Sequence, residues 1–115
     1  VQALRRRHRI KGMAHITGGG ITGNLPRILP KGCGATIALG SWPVPPVFPF
    51  LQEIGQVARD EMFRTFNMGI GMAIVTDARS ATGILRSLTR LGQPAWRIGE
   101  IEKGAQRVRL ARGAA

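Results

Sequence analysis

Apolar and polar positions alternate first between Ile10 and Thr17, where a period of two sets Met13, His15 and Thr17 on one face and Ala14 and Ile16 on the other. That pattern, with no helix cap nearby, predicts a strand. Gly18, Gly19 and Gly20 break it. Ile21, Leu25, Ile28 and Leu29 then recur at helical spacing, although Gly23 and Pro26 leave a helix that only tertiary packing can hold. A turn at Gly32 and Gly34 precedes a second strand, Ala35 to Leu39. From Ser41 to Pro46 three prolines enforce an extended connector, and Pro46 opens a helix carrying Val47, Phe50, Leu51 and Ile54 that ends at Gly55. A short helix comes next, from Ala58 to Phe66, with Asp60 and Glu61 in its first turn, where the helix dipole favours them.

Asn67 to Ile74 alternates again: Met68, Ile70, Met72 and Ile74 face one way, Asn67, Gly69, Gly71 and Ala73 the other. A strand with one greasy and one nearly bare side is predicted. Asp77 caps the next helix, whose Ala81, Ile84, Leu85, Leu88 and Leu91 form one stripe and which Gly92 stops. Ala95 to Ile101, with Trp96 and Ile98 on one face, reads as a strand, and Gln106 to Ala111 is expected to pair with it as an edge hairpin. The order β, α, β, α, α, β, α, β, β predicts an α+β domain, a mixed β-sheet covered by helices, over residues 10–115. Residues 1–9 read as the end of an upstream helix or a linker.

One domain is all that 115 residues accommodate. Val1 in place of an initiator methionine predicts a piece of a longer polypeptide. A single cysteine, Cys33, excludes an internal disulfide and suits a reducing cytoplasm, and two histidines, His8 and His15, make no metal-ligand cluster. No apolar run approaches the ~20 residues of a membrane span. The net charge is +11, and between Val1 and Phe50 lie Arg5, Arg6, Arg7, Arg9, Lys11, Arg27 and Lys31 with no acid. An anionic partner is one explanation; base composition, with the charge balanced by an upstream part, is the other. Nucleic acid ranks low, because stacking aromatics are few and no nucleic-acid motif is present.

Candidate chemistry concentrates at the strand-glycine-helix junction from His15 to Arg27. Bare backbone at Gly18, Gly19 and Gly20 lets amides converge, a helix start adds partial positive charge, and Arg27 lies within two turns, a combination that favours phosphate or carboxylate. The competing explanation is a tight turn. His15 is either a ligand contact at the carboxyl end of its strand or a buried or hydrogen-bonded structural histidine. Asn24 either orients a ligand or bonds the helix backbone. The bare face of Asn67, Gly69 and Gly71 admits a closely packed element or a ligand, with Arg64, Thr65 and Asn67 as polar donors beside it. Cys33 lacks a neighbouring base and is no nucleophile. No paired carboxylates, nucleophile with base or metal cluster appears, so the chain alone is expected to be a poor enzyme.

Four blocks carry a resemblance: IKGMAHITGGGITGNLPRIL (Ile10 to Leu29), GSWPVPP (Gly40 to Pro46), EMFRTFNMGIGM (Glu61 to Met72) and AWRIGEIEKG (Ala95 to Gly104). In order and spacing they resemble the carboxy-terminal domain of the phosphoribosylformylglycinamidine cyclo-ligases. The resemblance implies a two-domain, homodimeric enzyme of purine biosynthesis. Its amino-terminal domain, absent here, would supply the dimer contact and most contacts to ATP and magnesium, and this domain would close the cleft. The implied reaction phosphorylates the formyl oxygen of formylglycinamidine ribonucleotide, after which a nitrogen closes the ring and phosphate leaves. It also implies that His15, Thr17, Gly18, Gly19 and Gly20 line the cleft with Arg64, Thr65 and Asn67 nearby, no catalytic residue being assigned. Gly23 and Phe63 stand where relatives often carry an acid and a tyrosine. The rival expectation is a non-catalytic phosphate- or nucleotide-binding module.

Overall fold

The computed structural model describes residues 10–112; the expectation for 1–9 lies outside them. In chain order the elements are β1 (Ile10–His15), α1 (Gly20–Asn24) running into a 3-10 turn (Leu25–Ile28), β2 (Cys33–Leu39), α2 (Val47–Gly55), α3 (Arg59–Thr65), β3 (Met72–Thr76), α4 (Ala78–Arg90), β4 (Gly99–Lys103) and β5 (Val108–Arg112). The α+β class holds. The strands form two sheets among the described residues: an antiparallel pair β1–β3, and a mixed sheet of order β4-β2-β5.

The predicted strand from Asn67 to Ile74 starts later, at Met72. Met68 and Gly69 both adopt left-handed backbone, φ 54 and 97. The Gly69 amide donates to Asn67 Oδ1 at 2.9 Å, and the Ile70 amide to the Asn67 carbonyl at 3.0 Å. This turn keeps Met68 and Ile70 in the core but reverses the phase of the strand beyond it. Ala73 is buried opposite Ala14, and Met72, expected inside, is 47% exposed. Strand alternation survives only where the backbone stays extended.

The expected hairpin of the last two strands does not form. β4 begins at Gly99, four residues after the predicted start, and runs antiparallel along one side of β2; β5 runs parallel along the other. To change sides, the chain between them passes over the start of β2. The Gly104 amide donates to the Gly32 carbonyl at 2.9 Å and the Ala35 amide to the Arg107 carbonyl at 3.0 Å. A Cβ on Gly34 would stand 2.4 Å from the Ala105 carbonyl oxygen, so only glycine admits the crossing. Gln106 anchors it, donating through Nε2 to the carbonyls of Pro26 at 3.0 Å and Leu29 at 2.8 Å.

α2 also departs from expectation. Its stripe Val47, Phe50, Leu51 and Ile54 faces solvent, Ile54 at 69% exposure, and the helix docks through the opposite side, where the Phe48 ring packs on Phe66 with centroids 5.8 Å apart. The Pro43 to Pro46 connector sets that orientation. Trp42 is buried, meets Phe63 edge to face at 6.2 Å, and donates from Nε1 to the Met68 carbonyl at 3.0 Å. α4 begins as predicted, the Ser80 amide donating to Asp77 Oδ1 at 2.9 Å, with Ile84 as its buried anchor.

The core gathers Ile16, Ile21, Leu25, Leu29, Ile37, Trp42, Met62, Phe63, Met68 and Ile70 around the fully buried Met62. α1 and α3 cross within it at the closest backbone approach. A Cβ on Gly20, φ 63, would lie 1.8 Å from the Phe63 carbonyl oxygen and 2.8 Å from that of Phe66. In urea unfolding, Gly20→Ala is expected to cost about 3 kcal/mol, from overpacking and a left-handed backbone together. Gly34→Val should cost about 2 kcal/mol by displacing the crossing chain. Gly18→Ala, with nothing within 4 Å of the new Cβ, should stay within about 0.5 kcal/mol.

Candidate functional site

Strand β1 delivers the glycine turn. Its inward residues Ala14 and Ile16 are buried, which leaves His15 and Thr17 exposed on the other side, as period two requires. His15 is therefore an exposed group among the described residues. The Ile16 amide donates to the Gly71 carbonyl at 2.9 Å, extending the β1–β3 ladder to the lip of the turn.

Asn24 closes the turn from beneath. Its buried Oδ1 accepts from the Thr17 amide at 2.8 Å, so of the two roles open to it the structure shows backbone bonding. The Gly20 amide returns to the Thr17 carbonyl at 3.0 Å, and Gly19, φ 102, makes the bend. Among the described residues the amides of Gly18 and Gly19 donate to no protein group. They are two successive unengaged donors beyond the end of β1, the kind of group an anion uses.

The close approach at Gly20 joins this turn to the second motif. Thr22 Oγ1 donates to the Phe63 carbonyl at 3.3 Å, so the start of α1 rests on the last turn of α3, which carries Arg64 and Thr65 and leads through Phe66 to Asn67. Glu61 holds the first two: its carboxylate accepts from Arg64 Nη1 at 3.4 Å and from Thr65 Oγ1 at 3.5 Å. The ion pair is solvent-exposed and contributes little stability, but it keeps the guanidinium beside the helix end. Asn67 spends its carbonyl oxygen on the Gly69 turn.

Arg27 lies seven residues beyond Gly20. It sits in the last turn of the 3-10 segment, at the far end of the run that Gly20 begins. At Gly69 the bare face is met by the proline connector, since a Cβ there would come 2.5 Å from Pro45 Cδ, whereas a Cβ on Gly71 would meet nothing within 4 Å. Phe63, standing where a tyrosine was expected, uses its whole ring against Trp42. The roles of Thr22 and Glu61 went unnoticed in the sequence. Glu61 was legible, being three and four residues before Arg64 and Thr65 on one helix face; the Thr22 bond spans 41 residues and carries no local signal.

With this geometry in place, comparison with known proteins is informative. The family model described as AIR synthase related protein, C-terminal domain, matches residues 1–111. A phosphoribosylformylglycinamidine cyclo-ligase of Geobacillus kaustophilus is 50% identical over 105 residues, which are 91% of this chain and 30% of that protein. One from Trichlorobacter lovleyi is 54% identical over 102 residues, 89% of this chain and 29% of that protein. Thus the chain spans about 30% of the length of these curated relatives. Among solved structures, the E. coli hydrogenase maturation protein HypE superposes with a TM-score of 0.70 at 28% identity, over 96% of this chain and 34% of that one. Thiamine-monophosphate kinase from Stenotrophomonas maltophilia, TM-score 0.64 at 19% identity over 97% of this chain and 34% of that one, shares the fold. The chain belongs to the AIR synthase related proteins, as their C-terminal domain.

Proposed function

We propose that this chain is the cleft-closing domain of an ATP-dependent cyclo-ligase that converts formylglycinamidine ribonucleotide to aminoimidazole ribonucleotide. The observation that carries the proposal is the pair of unengaged amides at Gly18 and Gly19, held by Asn24 beside the Arg64–Asn67 end of α3. In it, those amides hold an anionic group of substrate or nucleotide, and His15, Thr17 and Arg64 orient the remainder. Arg27 adds positive charge to that contact from the 3-10 segment.

The chain's own residues bind and position; no proton transfer is assigned to them. ATP supplies the phosphoryl group that activates the formyl oxygen. Among the described residues no group of three or more His, Cys, Asp or Glu is arranged to hold a metal ion. The proposal leaves magnesium and the dimer contact to the rest of a longer polypeptide. The outward apolar stripe of α2 supports such a polypeptide, because an uncovered run of Val47, Phe50, Leu51 and Ile54 is unusual for a self-contained domain. No described helix is long and apolar enough to cross a membrane, and the proposal keeps a cytosolic compartment.

The test is ATP-dependent cyclisation of formylglycinamidine ribonucleotide by a full-length polypeptide containing this chain. Gly18→Val is the informative variant: a Cβ there meets nothing within 4 Å, whereas Gly19 would be strained by any side chain. Gly18→Val should raise the KM for substrate or ATP roughly tenfold with unfolding unchanged. An unchanged KM would remove the anion role from the turn. Phosphate or nucleotide binding without turnover would favour a non-catalytic module.

A further inference from the structure

β5 is an edge strand whose open side faces α3 across a groove of about 330 Å³, lined by Thr22, Arg59, Asp60, Arg64 and the β5 segment 107–110. The phase of its backbone is fixed by the bond from the Ala35 amide to the Arg107 carbonyl. In a parallel ladder alternate residues bond to the neighbour, so Arg107, Arg109 and Ala111 serve β2. The N–H and C=O groups of Val108 and Leu110 are left pointing into the groove. Edges of this kind are templates for another strand.

Charge around the edge is positive and incompletely matched. Arg59 pairs with Asp60 at 3.1 Å, and Arg64 with Glu61 at 3.4 Å. Arg109 reaches across the sheet to Thr36 Oγ1 at 3.1 Å and Glu102 at 3.6 Å, which in turn fixes its stem as groove wall. Arg107 has no ion pair or hydrogen bond from its guanidinium among the described residues. Arg107 and Arg109 share one face of β5, with Val108 and Leu110 on the other.

We infer that this groove docks an extended peptide whose acidic residues alternate with apolar ones, added to β5 as a further strand. A small anion satisfies the guanidinium and the edge amides but faces the Val108 and Leu110 carbonyls; an extended backbone satisfies donors and acceptors alike. A second copy of the chain would bring its own β5 arginines against these, which like-charge repulsion opposes. Alternation suits the two faces: acids meet Arg107 and the Arg109 side, apolar side chains continue the row of Val108 and Leu110. The inference does not rest on the cyclo-ligase proposal.

The experiment titrates the full chain with the capped hexapeptide Glu-Val-Glu-Val-Glu-Val, following amide hydrogen exchange and affinity. Saturable binding should slow exchange at Val108 and Leu110 and leave Arg109, already bonded to β2, unchanged. Methylating the peptide's inward-facing amides should weaken binding about tenfold, as should Arg107→Glu in the protein. Arg90→Gln, outside the groove, should have no effect. Equal binding of the methylated peptide, displacement of the peptide by inorganic pyrophosphate at similar affinity, or protection that appears only with self-association would each overturn the inference. Loss of affinity in Gly18→Val with Arg107→Glu neutral would instead move the anion contact to the glycine turn.

Discussion

Between the start of α1 and the end of α3 there is no room for one methyl group, and most of the domain is arranged around that contact. Gly20 lies against the carbonyls of Phe63 and Phe66. Both helices are short, five and seven residues, and neither has the length to be stable alone. Each is held because the other covers it: Ile21 and Leu25 bury one side of the joint, Met62 and Phe63 the other. The same contact sets the glycine turn and the Arg64–Asn67 segment side by side. A constraint of packing thus fixes the geometry of the candidate site, and the turn's freedom from side chains serves two purposes at different residues. Gly20 admits a neighbouring backbone, while Gly18 stays open to solvent.

Trp42 performs the corresponding work on the far side of α3. Its ring completes the core against Phe63, and its indole N–H takes the Met68 carbonyl, which the left-handed turn at Met68–Gly69 would otherwise leave buried without a donor. Pro45 then fills the space beside Gly69. Rigid connector and buried anchor are one device here. Prolines remove the amides that would need partners, and the tryptophan supplies the single donor that is wanted.

The local part of the fold could be read in the sequence. β1, β2 and α4 lay close to where periodicity and the Asp77 cap put them, and His15 and Thr17 fell on the exposed face as alternation required. Failures came where a long-range contact overrode a local pattern. Alternation through Met72 and Ile74 looked continuous because a left-handed turn leaves no mark on apolar spacing. The stripe on α2 was real but faced outward, since the Phe48–Phe66 contact decided the docking side. Gly34 and Gly99 were unremarkable as letters; their meaning, a chain crossing and a close strand pair, exists only in three dimensions.

The parallel seating of β5 beside β2 has an effect on the order in which the molecule can be made. Thr36 and Arg109, neighbours in the sheet, are 73 residues apart, so β5 is synthesised long after β2. During translation β2 can pair with β4 but must keep its other side waiting, with Ile37 exposed to water and to other nascent chains, until β5 has left the ribosome. Closure over such a separation is slow compared with helix formation. A chain interrupted between β4 and β5 would lack Val108 and Leu110 and leave a central strand as an edge, so such an interruption should yield insoluble material rather than a slightly shortened domain.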